Sequence, residues 1–128
     1  MGTRSTTKIY EDGKLILALY KQFDGYPNSW GKELKDFIHN GKFVNGFGLD
    51  SQLFNTFNGI GDFALQLVLK FKDNVGGLYA TNKDDYQQYN YKIEMKHDKK
   101  DYRKAKIIIS CLEDSKFKET IKLDFNIK

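Results

Sequence analysis

Cysteine is nearly missing from this sequence. Cys111 stands alone among 128 residues, so no internal disulfide can form and the chain suits a reducing compartment. It sits in the apolar run Lys106 to Leu112 and reads as a small buried hydrophobe. Histidine is almost as scarce. With one cysteine, His39 and His97 cannot make a four-ligand zinc site, and neither has a serine or cysteine at the spacing of a nucleophilic pair. The expectation is no metal, no cofactor and no catalytic residue. No apolar run approaches the ~18 residues of a membrane span. Met1 to Lys14 has no apolar stretch of the signal-peptide kind, so a cytoplasmic, membrane-free setting is expected. Met1-Gly2 with Thr6 matches the N-myristoylation pattern, but Lys8, Ile9 and Tyr10 already read as strand and no polybasic cluster follows.

What is present is the mixture of a soluble globular domain, 40% apolar and 30% charged, and the length fits one domain, residues 1–128. The net charge of +4 is unevenly spread. Acidic and basic residues cancel through residue 91, and the basic excess falls after it. Lys96, Lys99, Lys100, Arg103, Lys104 and Lys106 cluster there, but Asp98 and Asp101 interleave. A solvated hairpin accounts for them better than a nucleic-acid surface.

Periodicity gives the elements. Thr6–Tyr10 and Leu15–Phe23 flank Glu11-Asp12-Gly13-Lys14, an Asp-Gly hairpin signal. The second run is apolar on both faces and suits a central strand. Trp30, Leu34, Phe37 and Ile38 mark one face of a helix begun near Asn28 or Ser29 and stopped at Asn40-Gly41. A second helix, capped by Asp62, runs to Phe71. Strands follow at 78–81, at 89–95, at 105–112 and from Phe117 to Ile127. The predicted fold is α+β, in the order β-β-α-α-β-β-β-β. It has a single, mainly antiparallel sheet of about six strands with two helices packed on one face. The loops Asn45-Gly46-Phe47-Gly48 and Asn58-Gly59-Ile60-Gly61 lack the glycine spacing, lysine and strand-helix setting of a nucleotide fingerprint.

The chain's one proline closes the segment Gln22-Phe23-Asp24-Gly25-Tyr26-Pro27. Pro27 drives Tyr26 to extended geometry, Gly25 permits φ > 0 and Asp24 can bond backbone two residues on, so a sharp corner is expected. Arg4 is one of two arginines among nineteen lysines. If the first strands form the hairpin, Arg4, Asp24, Tyr26 and Trp30 converge at one rim with Asn45, and Gln66 faces the same rim. A guanidinium fork with stacking rings suits a phosphate or carboxylate carried on a flat ring.

Thr3-Arg4-Ser5, the Asp-Gly-Tyr-Pro corner, Val44-Asn45-Gly46 and Phe57-Asn58-Gly59-Ile60-Gly61-Asp62 together resemble a family of small uncharacterised proteins of tailed phages, prophages and other mobile elements. The likeness covers about the first two-thirds of the chain, and Asn28-Ser29 departs from the acidic residue and glycine common in that family. It implies a bacterial cytoplasm, where small non-enzymatic proteins block host defences.

The expectation for function is a non-catalytic, homo-oligomeric binder of a small anionic, nucleotide-like ligand. Its concrete form is a counter-defence sponge. The alternatives are an inhibitor that caps a host defence protein, and a hydrolase or nuclease using Asp24 and nearby carboxylates.

Overall fold

Asp12 and Gly13 make the first reversal of the chain, at φ 48° and 84°. A two-residue hairpin turn needs both residues left-handed, and Asp-Gly is the pair that supplies this at least cost. The turn is tied to the sheet beneath it by Gly13 N–H to Glu94 Oε2 at 3.0 Å. Asp12 N–H reaches Met95 O at 2.9 Å. A computed structural model gives the fold and describes residues 2–44, 56–73, 75, 77–101 and 103–125.

The hairpin is β1 (Ser5–Glu11) and β2 (Lys14–Lys21), followed by one π-helical turn (Pro27–Gly31) and α1 (Lys32–His39). Two short strands, β3 (Lys42–Val44) and β4 (Thr56–Asn58), lead to α2 (Gly59–Phe71). Then come β5 (Leu78–Ala80), β6 (Tyr89–His97), β7 (Lys104–Cys111) and β8 (Asp114–Asp124). The main sheet has six strands in the order β5-β2-β1-β6-β7-β8. The α+β architecture with one main sheet is the expected one. Within the main sheet the parallel ladder joins β1 to β6, Ser5 opposite Tyr89 through Glu11 opposite Met95.

Three features differ from expectation. β3 and β4 form a separate two-stranded parallel sheet. β2 is less central than its composition implies: β5 covers it only at Leu19–Lys21, and Leu15 and Ile16 stay exposed. α2 begins at Gly59, so Asp62 is no N-cap; its carboxylate reaches back to Asn58 N–H at 2.8 Å.

The core lies between the helices and one face of the sheet. Ile9, Leu19, Tyr91, Ile93, Met95, Ile107 and Ile109 meet Leu34, Phe37, Phe63 and Leu67 there. Phe57 fills its centre, fully buried, with Phe37, Phe43 and Phe63 ring centroids 5.1, 5.0 and 5.1 Å away. Because alternate strand residues point to opposite faces, Arg4, Thr6 and Lys8 are left on the other side.

Candidate functional site

The two short motifs at the N-terminus and the corner are neighbours. Gly25 N–H donates to Thr3 O at 3.0 Å, and Tyr89 N–H to Arg4 O at 3.2 Å. Tyr91 Oη donates to Gly25 O at 2.6 Å, and burial pushes its phenol well above the usual range. The corner's backbone corrects one expectation. Asp24, at φ 59°, takes the left-handed conformation. Gly25 is required for space instead, since a Cβ there would lie 2.7 Å from Ser5 Cβ. Tyr26 is extended, φ −64° and ψ 149°, as the following proline demands.

The sheet separates the side chains expected to share a rim. Trp30 is 0% exposed, its Nε1 donates to Thr7 Oγ1 at 2.8 Å, and Phe71 packs edge-on at 5.0 Å. It presents no open face to a ligand. Tyr26 is partly exposed beside Tyr89, with ring centroids 6.0 Å apart, and Asp24 is exposed at the corner. Gln66 is a tie within the fold, donating to Thr56 O at 2.8 Å and Asp62 Oδ2 at 2.9 Å. Asn45 lies outside the described residues. Arg4 is exposed on the opposite face from Trp30 and makes no ion pair or side-chain hydrogen bond among the described residues.

Arg4 stands between two adjoining cavities. One, of about 290 Å³, is lined by Arg4, Tyr20, Tyr79, Thr81, Asp85 and Gln87. The other, of about 310 Å³, is bounded by Gly2, Arg4, Gln87 and Gln88. The Tyr20 and Tyr79 rings sit 5.7 Å apart at 47°, brought together because these residues are directly paired across β2 and β5. The remaining wall is a strap, residues 81–88, laid across the sheet. Lys8 Nζ donates to Asp85 O at 2.7 Å and lies 3.6 Å from the Tyr86 ring centroid. Burial lowers the Lys8 pKa, against the raising fields of Asp85 and Asp84. Asn90 clamps the strap from β6, accepting from Gln87 N–H at 2.9 Å and donating to Gln87 O at 2.7 Å. Asp85 is already engaged, accepting from Thr81 Oγ1 at 2.7 Å and Gln87 Nε2 at 2.6 Å. Arg4 and Asp85 are the charged side chains lining this groove, and no ion pair joins them among the described residues.

A further cavity, of about 850 Å³, lies at the other end of the same sheet. Lys96, Lys99, Lys100, Lys104, Lys106 and Lys122 line it with Asp98 and Asp124, and His97 is its one ring among the described residues. It therefore has charge to offer but little to stack on, whereas the Arg4 groove has both. No set of three or more histidine, cysteine or acidic side chains able to hold a metal occurs among the described residues. None of their helices is long and apolar enough to cross a membrane.

Sequence reasoning singled out Arg4 but missed Tyr20, Tyr79 and Gln87. The signal for Tyr20 was available in the hairpin register, which puts it opposite Thr6, on the same face as Arg4. Tyr79 and Gln87 needed the pairing of β5 and the path of the strap, neither of which is local. Comparison with protein-family models, with curated proteins and with solved structures finds no match to this chain.

Proposed function

We propose that this is a non-catalytic protein that binds a small anionic, nucleotide-like ligand in the groove at Arg4. The observation that carries the reading is the unpaired Arg4 guanidinium flanked by the Tyr20 and Tyr79 rings. A guanidinium fork binds phosphate or carboxylate oxygens in a bidentate manner, and a half-open tyrosine face accepts a flat ring. The resemblance to mobile-element proteins supplies the setting, in which a binder without turnover acts as a sponge for a host defence signal.

The test is to pass lysate from defence-active bacteria over the purified protein, heat-denature it and identify released compounds by mass spectrometry. The wild-type protein is expected to release an intact nucleotide-like compound. Arg4→Gln loses charge-assisted hydrogen bonds of about 1.5–3 kcal/mol, so its affinity falls roughly tenfold to a hundredfold. Arg4→Lys recovers little of it, because an ammonium lacks the planar fork. Equal release from wild type and Arg4→Gln would sink the reading, and a chemically altered compound would point to an enzyme. A co-purifying host protein with no released compound would favour the inhibitor reading, for which Leu65 and Leu69, 69% and 81% exposed on the outer face of α2, supply apolar surface.

A further inference from the structure

Beyond the Arg4 groove, we propose a second, independent ligand site: the lysine-lined cavity at the β6–β7 end of the sheet binds an oligophosphate, a chain of three or more phosphates. The register of the strands is the primary observation. Lys96 is directly opposite Lys106 across β6 and β7, and Lys106 is directly opposite Lys122 across β7 and β8. All three point to the solvent face, since their neighbours Met95 and Ile107 are buried in the core. With strands about 4.8 Å apart, the three lysines stand in a row about 10 Å long at the backbone.

Like charges directly opposed across strands are destabilising, and a merely soluble surface would alternate signs. Several lysines elsewhere on this molecule find partners, although Lys14, Lys83, Lys116 and Lys118 do not among the described residues. Lys32 pairs with Asp36 and Lys92 with Glu94, Lys8 donates to Asp85 O, and Lys21 and Lys35 lie over the Trp30 and Phe117 rings. None of the six cavity lysines makes an ion pair, a side-chain hydrogen bond or a ring contact among the described residues.

The interleaved acids do not cancel them. Asp101 is turned to Arg103, at 3.1 Å from Nε, and that guanidinium holds its carboxyl below the usual range. Asp98 Oδ1 accepts the Lys100 and Asp101 backbone N–H groups at 2.7 and 3.2 Å. Its carboxylate builds the turn that walls the cavity. Asp124 sits opposite Lys104 in the ladder but no ion pair joins them within 4.0 Å. The surplus of positive charge is thus concentrated in a concave site of about 850 Å³, within the size range of small-ligand pockets.

The class of ligand follows from what else the cavity contains. Among the described residues His97 is its one ring, and its Nε2 is 3.0 Å from Glu11 Oε2, so those residues supply no platform for stacked bases of the kind single-strand binders use. Charge without readout suits a phosphate chain, whose closely spaced negative groups can meet all three members of the row.

Calorimetric titration and thermal melting with tripolyphosphate test this, set against inorganic phosphate, sodium chloride at matched ionic strength and a single-stranded oligonucleotide. The expected result is saturable binding of tripolyphosphate, at least about tenfold tighter than of phosphate. Lys106→Gln and Lys122→Gln each weaken it by roughly tenfold or more, and Lys83→Gln, in the distant strap, leaves it unchanged. Without ligand, Lys106→Gln melts about 2–4 °C above wild type, because the middle charge of the row is gone. The proposal is overturned if both row variants bind as wild type, if sodium chloride at matched ionic strength raises the melting temperature as much as tripolyphosphate does, or if removing the Lys106 charge brings no gain in melting temperature. An oligonucleotide binding more tightly than tripolyphosphate would overturn it in favour of a nucleic-acid surface.

Discussion

Tyr91 is the residue that closes the corner on the sheet. Its hydroxyl meets Gly25 O at 2.6 Å inside the protein, so Tyr91→Phe leaves a buried carbonyl without that donor and is expected to cost about 1–2 kcal/mol. Burial raises its folded-state pKa above the ordinary 10.0. The folded protein therefore holds this proton more tightly than the unfolded chain does. The resulting stability is fully present below pH 10.0 and drains away as pH climbs past it. Urea denaturation at neutral pH and above pH 10 checks both parts, because Tyr91→Phe should flatten the alkaline fall. The corner itself was legible from Asp24, Gly25 and Pro27. Which residue turns left-handed was not, because Ser5, far off in the chain, claims the space beside Gly25.

At the scale of elements, the signals that were strong in the chain became the strands and helices they announced. Asp12-Gly13 made its hairpin, and the 3.6-residue spacing of Trp30, Leu34 and Phe37 made the turn and helix that bury them. What stayed hidden was short or reached backward. β3 and β4 have three residues each, too few for alternation to register. Asp62 works from inside α2 on Asn58, so reading it as the cap displaced the helix start. β4 matters out of proportion to its length, because it carries Phe57 into the midst of the Phe37, Phe43 and Phe63 rings. Phe57→Ala should destabilise by about 3–5 kcal/mol through the cavity it leaves. Chemical denaturation will show this, and a loss under 1 kcal/mol would mean that the small sheet is peripheral to the core.

For the whole molecule, distribution of charge matters more than its total. Salt is expected to raise the melting temperature, since it screens repulsion along Lys96, Lys106 and Lys122, and the rise should shrink in Lys106→Gln. Melting curves across sodium chloride concentrations decide this, and a fall with added salt would show that ion pairs outweigh the row. Arg4 could be picked out in the sequence by its rarity, but the face it occupies depends on pleat, and its ring neighbours arrive from other strands. The lysine row was less legible still. Lys122 joins it only through β8, and Asp98 and Asp101 dilute the cluster in chain order while in the fold they serve the turn.

The parallel ladder between β1 and β6 bears on how the chain is made. Neighbouring antiparallel strands can fold back through a tight turn, but a parallel pair must wait for its crossover. During synthesis the N-terminal hairpin leaves the ribosome with one flank of β1 unmated, and it stays so until Tyr89–His97 has emerged. Only then can that edge be covered and the two halves of the sheet become one.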